Sequence, residues 1–164
     1  MSGAALAGQV LSALKQRGLT VATAESCTGG LLGGALTEVG GSSAVYKGGV
    51  VSYWTEVKAE VLGVSRETLD CYGAVSPQTA EEMAKRVRLL LDCDLGVSVT
   101  GVAGPDRDER GNPVGCVYLA LSDGAQTLVR RLPQPGETRS EIRRNAVNFA
   151  LKLLLEYCDS HERK

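Results

Sequence analysis

Histidine is almost absent from this sequence of 164 residues: the only one, His161, stands close to the carboxyl terminus. An imidazole that activates a serine or cysteine nucleophile must be held in a fixed position beside it. A single histidine in a polar tail offers no such position. If the protein performs nucleophilic chemistry, we therefore expect a base other than histidine.

Clustered metal ligands are also missing. The cysteines are odd in number and widely spaced, with no CxxC pair; they are Cys27, Cys71, Cys93, Cys116 and Cys158. A zinc site needs neighbouring thiolates or imidazoles, so we predict no metal site. The same spacing favours buried free thiols over disulfides.

Long apolar runs and an excess of positive charge are absent as well. No segment reaches the roughly 20 apolar residues that span a bilayer, and residues 1–5 lack the basic-then-apolar order of a signal peptide. The formal net charge of −1 gives no sign of a nucleic-acid partner. We expect a cytoplasmic protein that binds neither membranes nor nucleic acid.

The overall composition is typical of a globular protein. Hydrophobic residues make up 43% of the sequence and charged residues 23%, proportions that argue against disorder. The length suits one domain with a sizeable core. We therefore predict a single domain over residues 1–164.

Hydrophobic periodicity alternates between helix and strand. Helical spacing predicts helices over residues 4–17, 28–39, 55–62, 65–72, 77–91 and 138–157. Runs rich in β-branched residues predict strands over residues 19–24, 48–54, 95–100, 116–121 and 127–132, the last two forming a hairpin. The order predicts an α/β fold, a three-layer α/β/α sandwich with a mixed, mostly parallel sheet of about five strands.

Ligands of such folds lie beyond the carboxyl ends of the strands. Three glycine-rich turns are candidates for that edge: residues 26–30, 40–43 and 101–104. Ser42 in the second turn is a candidate substrate contact, and the amides of residues 101–105 could cradle a phosphate. A plain turn is the commoner explanation of such a loop.

Ser26 is the candidate nucleophile, since it stands between a predicted strand and a predicted helix. The amides of such a helix start would suit the oxyanion of a tetrahedral intermediate. A plain helix cap is the commoner explanation of Ser26 or Thr28. Cys27 is a rival nucleophile, ranked lower because no imidazole is near it in the sequence.

Lys58 and Tyr53 follow the second predicted strand and are candidates to act on Ser26. A lysine accepts a proton only as the neutral amine, which burial favours, and a tyrosine can relay a proton. Taken alone, a packed tyrosine and a solvated lysine explain these two positions more simply.

Arg139 and Arg143 lie four residues apart at the start of the last predicted helix. On one helix face they could grip a phosphate together. An exposed face in which they pair with Glu137 or Glu141 accounts for them equally well.

Several motifs occur in a familiar order along residues 10–155. They are AESCTGG at 24–30, GSS at 41–43, Tyr53 with Lys58, LGV at 62–64, GAVS at 73–76, TGVAGP at 100–105, PVG at 113–115 and a final helix with Arg143. In this combination the chain resembles the CinA C-terminal domain family, also called the nicotinamide-nucleotide amidohydrolase family.

The resemblance implies hydrolysis of nicotinamide mononucleotide to nicotinate mononucleotide and ammonia. It implies that Ser26 attacks the carboxamide, that Lys58 takes the serine proton and that Tyr53 orients the pair or relays a proton. We expect the backbone amides of Thr28, Gly29 and Gly30 to form the oxyanion site. Contacts to the ribose and phosphate are expected from Thr100, Gly101, Arg139 and Arg143.

The resemblance also implies a three-layer α/β/α fold, a homo-oligomer and no required metal or redox cofactor. Two places depart from the family pattern. Trp54-Thr55 follow Tyr53 where a Tyr-Ser-Asn-like run is usual, and residues 106–110 (DRDER) replace shorter glycine-rich turns, with Asn112 where a lysine often precedes the proline. These changes concern substrate recognition more than the reaction.

Two other functions remain open at this point. One is a competence- or damage-associated binding protein that keeps the fold without the catalysis. The other is an amidase for a different small amide, which the altered neighbourhood of Trp54 would allow.

Overall fold

The computed structural model describes residues 2–161; Met1 and residues 162–164 of the predicted domain lie outside the described residues. The helices are α1 (Gly3–Arg17), α2 (Leu31–Thr37), α3 (Thr55–Glu60), α4 (Arg66–Tyr72), α5 (Pro77–Leu90) and α6 (Arg139–Ser160). The strands are β1 (Val21–Glu25), β2 (Tyr46–Val51), β3 (Leu95–Gly101), β4 (Val117–Ser122) and β5 (Thr127–Arg131). Each predicted helix and strand is therefore present.

The strands form one five-stranded sheet in the order β2-β1-β3-β4-β5. The central strand β1 pairs in parallel with β2 and β3. β4 is antiparallel to β3, and β5 is antiparallel to β4. The predicted mixed, mostly parallel sheet is confirmed.

Helices cover both faces of this sheet, and the alternation of side chains along β1 explains how. Val21 packs in the apolar cluster with α1, α2 and α6. Ala22 and Ala24 point to the other face, where they pack with residues of α4 and α5. Because successive side chains of a strand point to opposite faces, a strand buried on both sides needs an uninterrupted run of small or apolar residues.

The two long helices after β2 each begin with a side-chain cap. The Ser76 side chain accepts a hydrogen bond from the Thr79 amide, with Pro77 at the first helical position. At α6, Thr138 and Glu141 form a reciprocal capping box. These local bonds satisfy amides that a helix end otherwise leaves unpaired.

Helix α2 is shorter than predicted: it spans Leu31–Thr37 rather than 28–39. Gly29 and Gly30 have φ angles of 57° and 101°, which a right-handed helix does not accommodate. The helix cap is Gly30, with no side-chain bond. The explanation of Ser26 as a plain helix cap is therefore wrong.

The 40–43 turn precedes β2, so it lies at the amino-terminal edge of the sheet. The parallel pairing of Val21 with Tyr46 places the start of β2 beside the start of β1. The prediction that this turn joins the carboxyl edge is wrong within one chain, because the turn enters a strand rather than leaving one. Ser42 begins a short 3₁₀ turn there.

No helix within residues 2–161 combines the length and the apolar character needed to cross a membrane.

Gly96 allows α5 to lie directly against β3. A Cβ at this position would collide with the Ala84 carbonyl oxygen and lie 2.8 Å from the Arg88 Cβ. We predict that Gly96→Ala lowers the free energy of unfolding by about 1–3 kcal/mol, since backbone cannot yield as a side chain does. Denaturant unfolding measures this change.

Gly34→Ala is the matched control. An added Cβ there meets nothing within 4 Å, so helix propensity alone should stabilise the protein by up to about 1 kcal/mol. Equal effects of the two substitutions would contradict the close approach of α5.

Candidate active site

Ser26 lies immediately after β1, at the carboxyl edge of the sheet. Its amide donates a hydrogen bond to the Val99 carbonyl of β3 at 2.9 Å. The residue is 8% exposed. The backbone of Ser26 is thus anchored between two central strands, while its side chain faces the edge where the strands end.

Lys58 reaches Ser26 from helix α3 and is almost entirely buried, with 1% of its surface exposed. Its Nζ lies 3.0 Å from Ser26 Oγ. The same nitrogen lies 2.5 Å from the Ser52 carbonyl oxygen and 3.3 Å from that of Tyr53. The backbone carbonyls of Ser52 and Tyr53, which follow β2, therefore hold the Lys58 amine in place.

Burial lowers the pKa of Lys58 to about 8, against a smaller opposing effect of Cys27. Low polarity disfavours the ammonium, and no carboxylate contacts the nitrogen among the described residues to restore it. A neutral amine has two N–H groups and one lone pair. Because the carbonyls of Ser52 and Tyr53 can only accept, they take the two N–H groups and direct the lone pair to the Ser26 hydroxyl.

Tyr53 lies at the mouth of the site and is half exposed. Its hydroxyl accepts a hydrogen bond from Arg139 Nη2 at 3.1 Å. Arg139 also donates to the Gly104 carbonyl. The phenolic oxygen therefore keeps its own proton available for a group bound in front of Ser26.

Arg143 faces the backbone of the Ser26 turn. Its Nε donates to the Cys27 carbonyl at 3.0 Å and its Nη2 to the Thr28 carbonyl at 3.3 Å. Arg139 and Arg143 thus contact different groups. Arg143 holds the turn that carries Ser26.

Glu25 occupies the start of helix α2. This buried carboxylate accepts hydrogen bonds from the Thr28 hydroxyl at 2.7 Å and from the amides of Leu32 and Gly33 at 2.8 and 3.0 Å. Thr28 has no exposed surface. The first helical amides are therefore used by Glu25 and are not free for an oxyanion.

Of the three amides expected at the oxyanion site, that of Gly29 donates to the Ser26 carbonyl at 3.0 Å. Those of Thr28 and Gly30 donate to no other residue within 2–161. Thr28 is fully buried, however, and neither Thr28 nor Gly30 lines the pocket at Ser26. The expected oxyanion site at Thr28, Gly29 and Gly30 is therefore not formed by these amides in this structure.

Thr100 and Gly101, at the end of β3, line the same pocket. The Thr100 hydroxyl donates to the Ala74 carbonyl at 2.7 Å, so it fixes the wall of the pocket. The pocket has a volume of about 190 Å³ and is lined by Ser26, Cys27, Tyr53, Lys58, Ala74, Val75, Thr100, Gly101, Ala103 and Arg139. Sequence reasoning missed Ala74, Val75 and Ala103, for which only the GAVS and TGVAGP motifs were a signal.

Cys27, the rival nucleophile, and Trp54, which departs from the family pattern, can now be assessed. Burial raises the pKa of Cys27 to about 11, so its thiol stays protonated and poorly nucleophilic near neutral pH. Trp54 is 71% exposed and does not line the pocket. The indole therefore leaves the pair of Ser26 and Lys58 unaffected.

Fold and site together define a class: an α/β/α sandwich with a serine and a buried lysine at the carboxyl edge of its sheet. The model of the CinA C-terminal domain matches residues 3–158. The chain belongs to the CinA C-terminal domain family.

Curated relatives agree with this assignment. A protein of Caldanaerobacter subterraneus, whose name marks it provisionally as competence-damage inducible, is 46% identical over 93% of this chain and 37% of its own length. A CinA-like protein of Kosmotoga olearia is 45% identical over 87% of this chain and 34% of its own. The chain thus spans about a third of the length of these relatives.

Solved structures are similar over nearly the whole chain. A competence-damaged protein (CinA) superfamily protein from Klebsiella pneumoniae has a TM-score of 0.94 at 34% identity, covering 98% of this chain and 100% of its own. A competence/damage inducible protein from Agrobacterium tumefaciens has a TM-score of 0.89 at 41% identity, covering 95% and 98%.

The buried amine predicts an unusual dependence of stability on pH. Between pH 8 and the ordinary lysine pKa of 10.5, the unfolded chain binds more protons than the folded one, so stability rises with pH. At about 1.4 kcal/mol per pKa unit, the gain amounts to about 3 kcal/mol. It should be lost in Lys58→Met.

Denaturant unfolding of both proteins between pH 7 and 11 measures this difference. Above pH 9 the raised pKa of Cys27 acts in the opposite direction and itself depends on Lys58, so the two profiles are compared below pH 9. Parallel pH profiles of the two proteins would contradict a lowered pKa of Lys58.

Proposed function

We propose that this chain hydrolyses the carboxamide of nicotinamide mononucleotide to nicotinate mononucleotide and ammonia. The observation that carries the proposal is the position of the Lys58 amine, 3.0 Å from Ser26 Oγ and held by two carbonyls. A serine becomes a nucleophile when a neutral base accepts its proton. The family resemblance supplies the substrate.

In the first half of the reaction, Ser26 Oγ attacks the carboxamide carbon and its proton passes to Lys58. The negative charge of the tetrahedral intermediate develops on the former carbonyl oxygen. The proton of the Tyr53 hydroxyl, a group of a residue that lines the pocket, is the donor proposed to stabilise it. The Lys58 ammonium then protonates the departing nitrogen, the C–N bond breaks and ammonia leaves.

In the second half, water attacks the acyl ester of Ser26. Lys58, neutral again, takes a proton from this water, and the ester bond to Ser26 Oγ breaks. Lys58 returns that proton to Ser26, and the carboxylic acid leaves as nicotinate mononucleotide. One base thus serves both halves, as the absence of a usable histidine requires.

Ammonia release from nicotinamide mononucleotide tests the assignment directly. Ser26→Ala and Lys58→Met should each lower the rate at least 10³-fold, because the nucleophile and its base act as one unit. Cys27→Ser is the matched control: it alters the neighbouring residue and should retain activity within about threefold. Full activity of Ser26→Ala would refute the mechanism, and activity that follows Cys27 would identify the thiol as the nucleophile.

The pH profile offers a separate test. Because only the neutral amine of Lys58 accepts a proton, kcat/KM should rise about tenfold per pH unit below the pKa of about 8 and level off above it. Steady-state rates between pH 6 and 10 measure this curve. A profile that is flat across pH 8 would contradict Lys58 as the base.

Two other functions would lead to different results. Relatives carry names that describe them as competence- or damage-inducible. A competence- or damage-associated binding protein without catalysis would release no ammonia from any pyridine nucleotide. An amidase for another small amide would hydrolyse nicotinamide itself or a different carboxamide in preference to the nucleotide.

A further inference from the structure

A second cavity adjoins the pocket of Ser26. It has a volume of about 440 Å³ and is lined by Thr55, Leu69, Gly73, Ala74, Val75, Arg107, Asp108, Glu109 and Arg110. Ala74 and Val75 line both spaces. On the opposite side, Tyr53 lines the first and Thr55, two residues further on, lines the second. The two spaces therefore adjoin at Ala74 and Val75.

The first pocket is too small for a whole mononucleotide. Sites that enclose a ligand of that size have volumes of about 300–1,000 Å³, whereas the pocket at Ser26 has about 190 Å³. It suits the carboxamide ring alone. The ribose and phosphate must then lie outside it, and the second cavity is a space of adequate volume beside it.

We propose that this second cavity binds the phosphate-bearing end of the substrate, with Arg107 as the cation that contacts the phosphate. The inference rests on the proposed amidase function for the identity of the ligand. It assigns a role to the 106–112 loop, where the sequence departs from the family.

The loop is held in a fixed shape by Asp108. One carboxylate oxygen accepts from the amides of Arg110 and Asn112 at 3.1 and 2.7 Å, and the other accepts from the Asn112 side chain at 2.7 Å. These three bonds direct the carboxylate of Asp108 into the loop and fix the course of the loop.

The same loop is fastened to the wall shared by the two spaces. Arg110 donates to the last carbonyls of helix α4, including those of Leu69 and Cys71 at 3.3 and 3.2 Å. Asn112 donates to the Val75 carbonyl at 3.4 Å. A site built on a fastened loop loses little conformational entropy when it binds a ligand.

Arg107 is the guanidinium of this cavity with donors to spare. Its only hydrogen bond within residues 2–161 is from Nη1 to the Gly111 carbonyl at 3.1 Å, whereas Arg110 is bonded to three carbonyls. A guanidinium anchored by one bond can offer its remaining N–H groups to a phosphate in pairs. The exposed Thr55 hydroxyl, on the facing side, adds a donor for a ribose or phosphate oxygen.

The two arginines first expected to grip the phosphate have other partners. Arg143 is bonded to the Cys27 and Thr28 carbonyls, and Arg139 to Gly104 and to the Tyr53 hydroxyl. Glu109 is the one exposed carboxylate that lines the second cavity. The charge of Glu109 opposes a bound anion. Removing it should therefore strengthen phosphate binding, whereas removing Arg107 should weaken it.

The test measures binding and turnover separately. Binding of nicotinamide mononucleotide and of nicotinamide riboside, which lacks the phosphate, is measured by calorimetry in the Ser26→Ala background, where no turnover occurs. Adding Arg107→Ala should weaken binding of the mononucleotide about tenfold and leave that of the riboside within twofold. Adding Glu109→Gln should strengthen binding of the mononucleotide alone.

Arg66→Ala is the matched control, since it removes an exposed guanidinium that pairs with Glu60 away from the cavity; it should change neither affinity. Unchanged binding of the mononucleotide in Arg107→Ala, or equal weakening of both ligands, would overturn the proposal. So would a phosphate-dependent loss confined to Arg139→Ala, which would place the phosphate at the mouth of the first pocket.

Kinetics of the parent enzyme distinguish this proposal from the amidase function. Arg107→Ala should raise KM for the mononucleotide about tenfold with kcat within twofold. If the parent enzyme releases no ammonia but binds the mononucleotide through Arg107, the amidase function fails and the phosphate site stands. If it releases ammonia and Arg107→Ala has the parent KM, the phosphate site fails and the amidase function stands.

Discussion

The amine of Lys58 lies inside the domain, and much of the site follows from keeping it there. A buried ammonium is costly in free energy unless a partner compensates it. Here the compensation comes from the backbone carbonyls of Ser52 and Tyr53 rather than from a carboxylate. The carbonyls orient the amine but do not fully offset the cost of burying the ammonium, so the pKa of Lys58 stays low. A low pKa keeps the neutral form accessible, and only that form can act as a base.

A second buried ionisable residue, Glu25, shapes the chain around Ser26. Glu25 ends β1 one residue before Ser26 and closes the start of α2. Its carboxylate takes the amides that a helix start would otherwise direct to a ligand. The Ser26 turn is therefore a separate structure, shaped by Gly29 and Gly30 and held by Arg143. Ser26 is thus held by a bond to β3, and the turn that follows it by Glu25 and by Arg143 of α6.

The residues that match the family and those that depart from it line two different, adjoining spaces. Ser26, Lys58, Tyr53 and the end of β3 surround the small pocket, where the chemistry is set by positions of single atoms. The 106–112 loop lines the larger space beyond Ala74 and Val75. Loops on the rim of a fixed scaffold vary more freely than the scaffold itself, so a change in substrate recognition can arise there without disturbing the pair of Ser26 and Lys58.

The order of helices and strands and the sheet class could be predicted from the sequence, because they depend on hydrophobic periodicity among residues close in the chain. The sequence also led to Ser26, Lys58 and Tyr53, though only the family resemblance gave them roles. Contacts between residues that are distant in the chain could not be predicted from the sequence. Nothing local indicates that Glu25 takes the amides of α2, that Arg143 turns to the Cys27 carbonyl or that the 40–43 turn lies at the far edge of the sheet. The burial of Lys58, and with it the base strength on which the proposed chemistry depends, follows from tertiary packing alone, since solvation is a property of everything that surrounds the nitrogen.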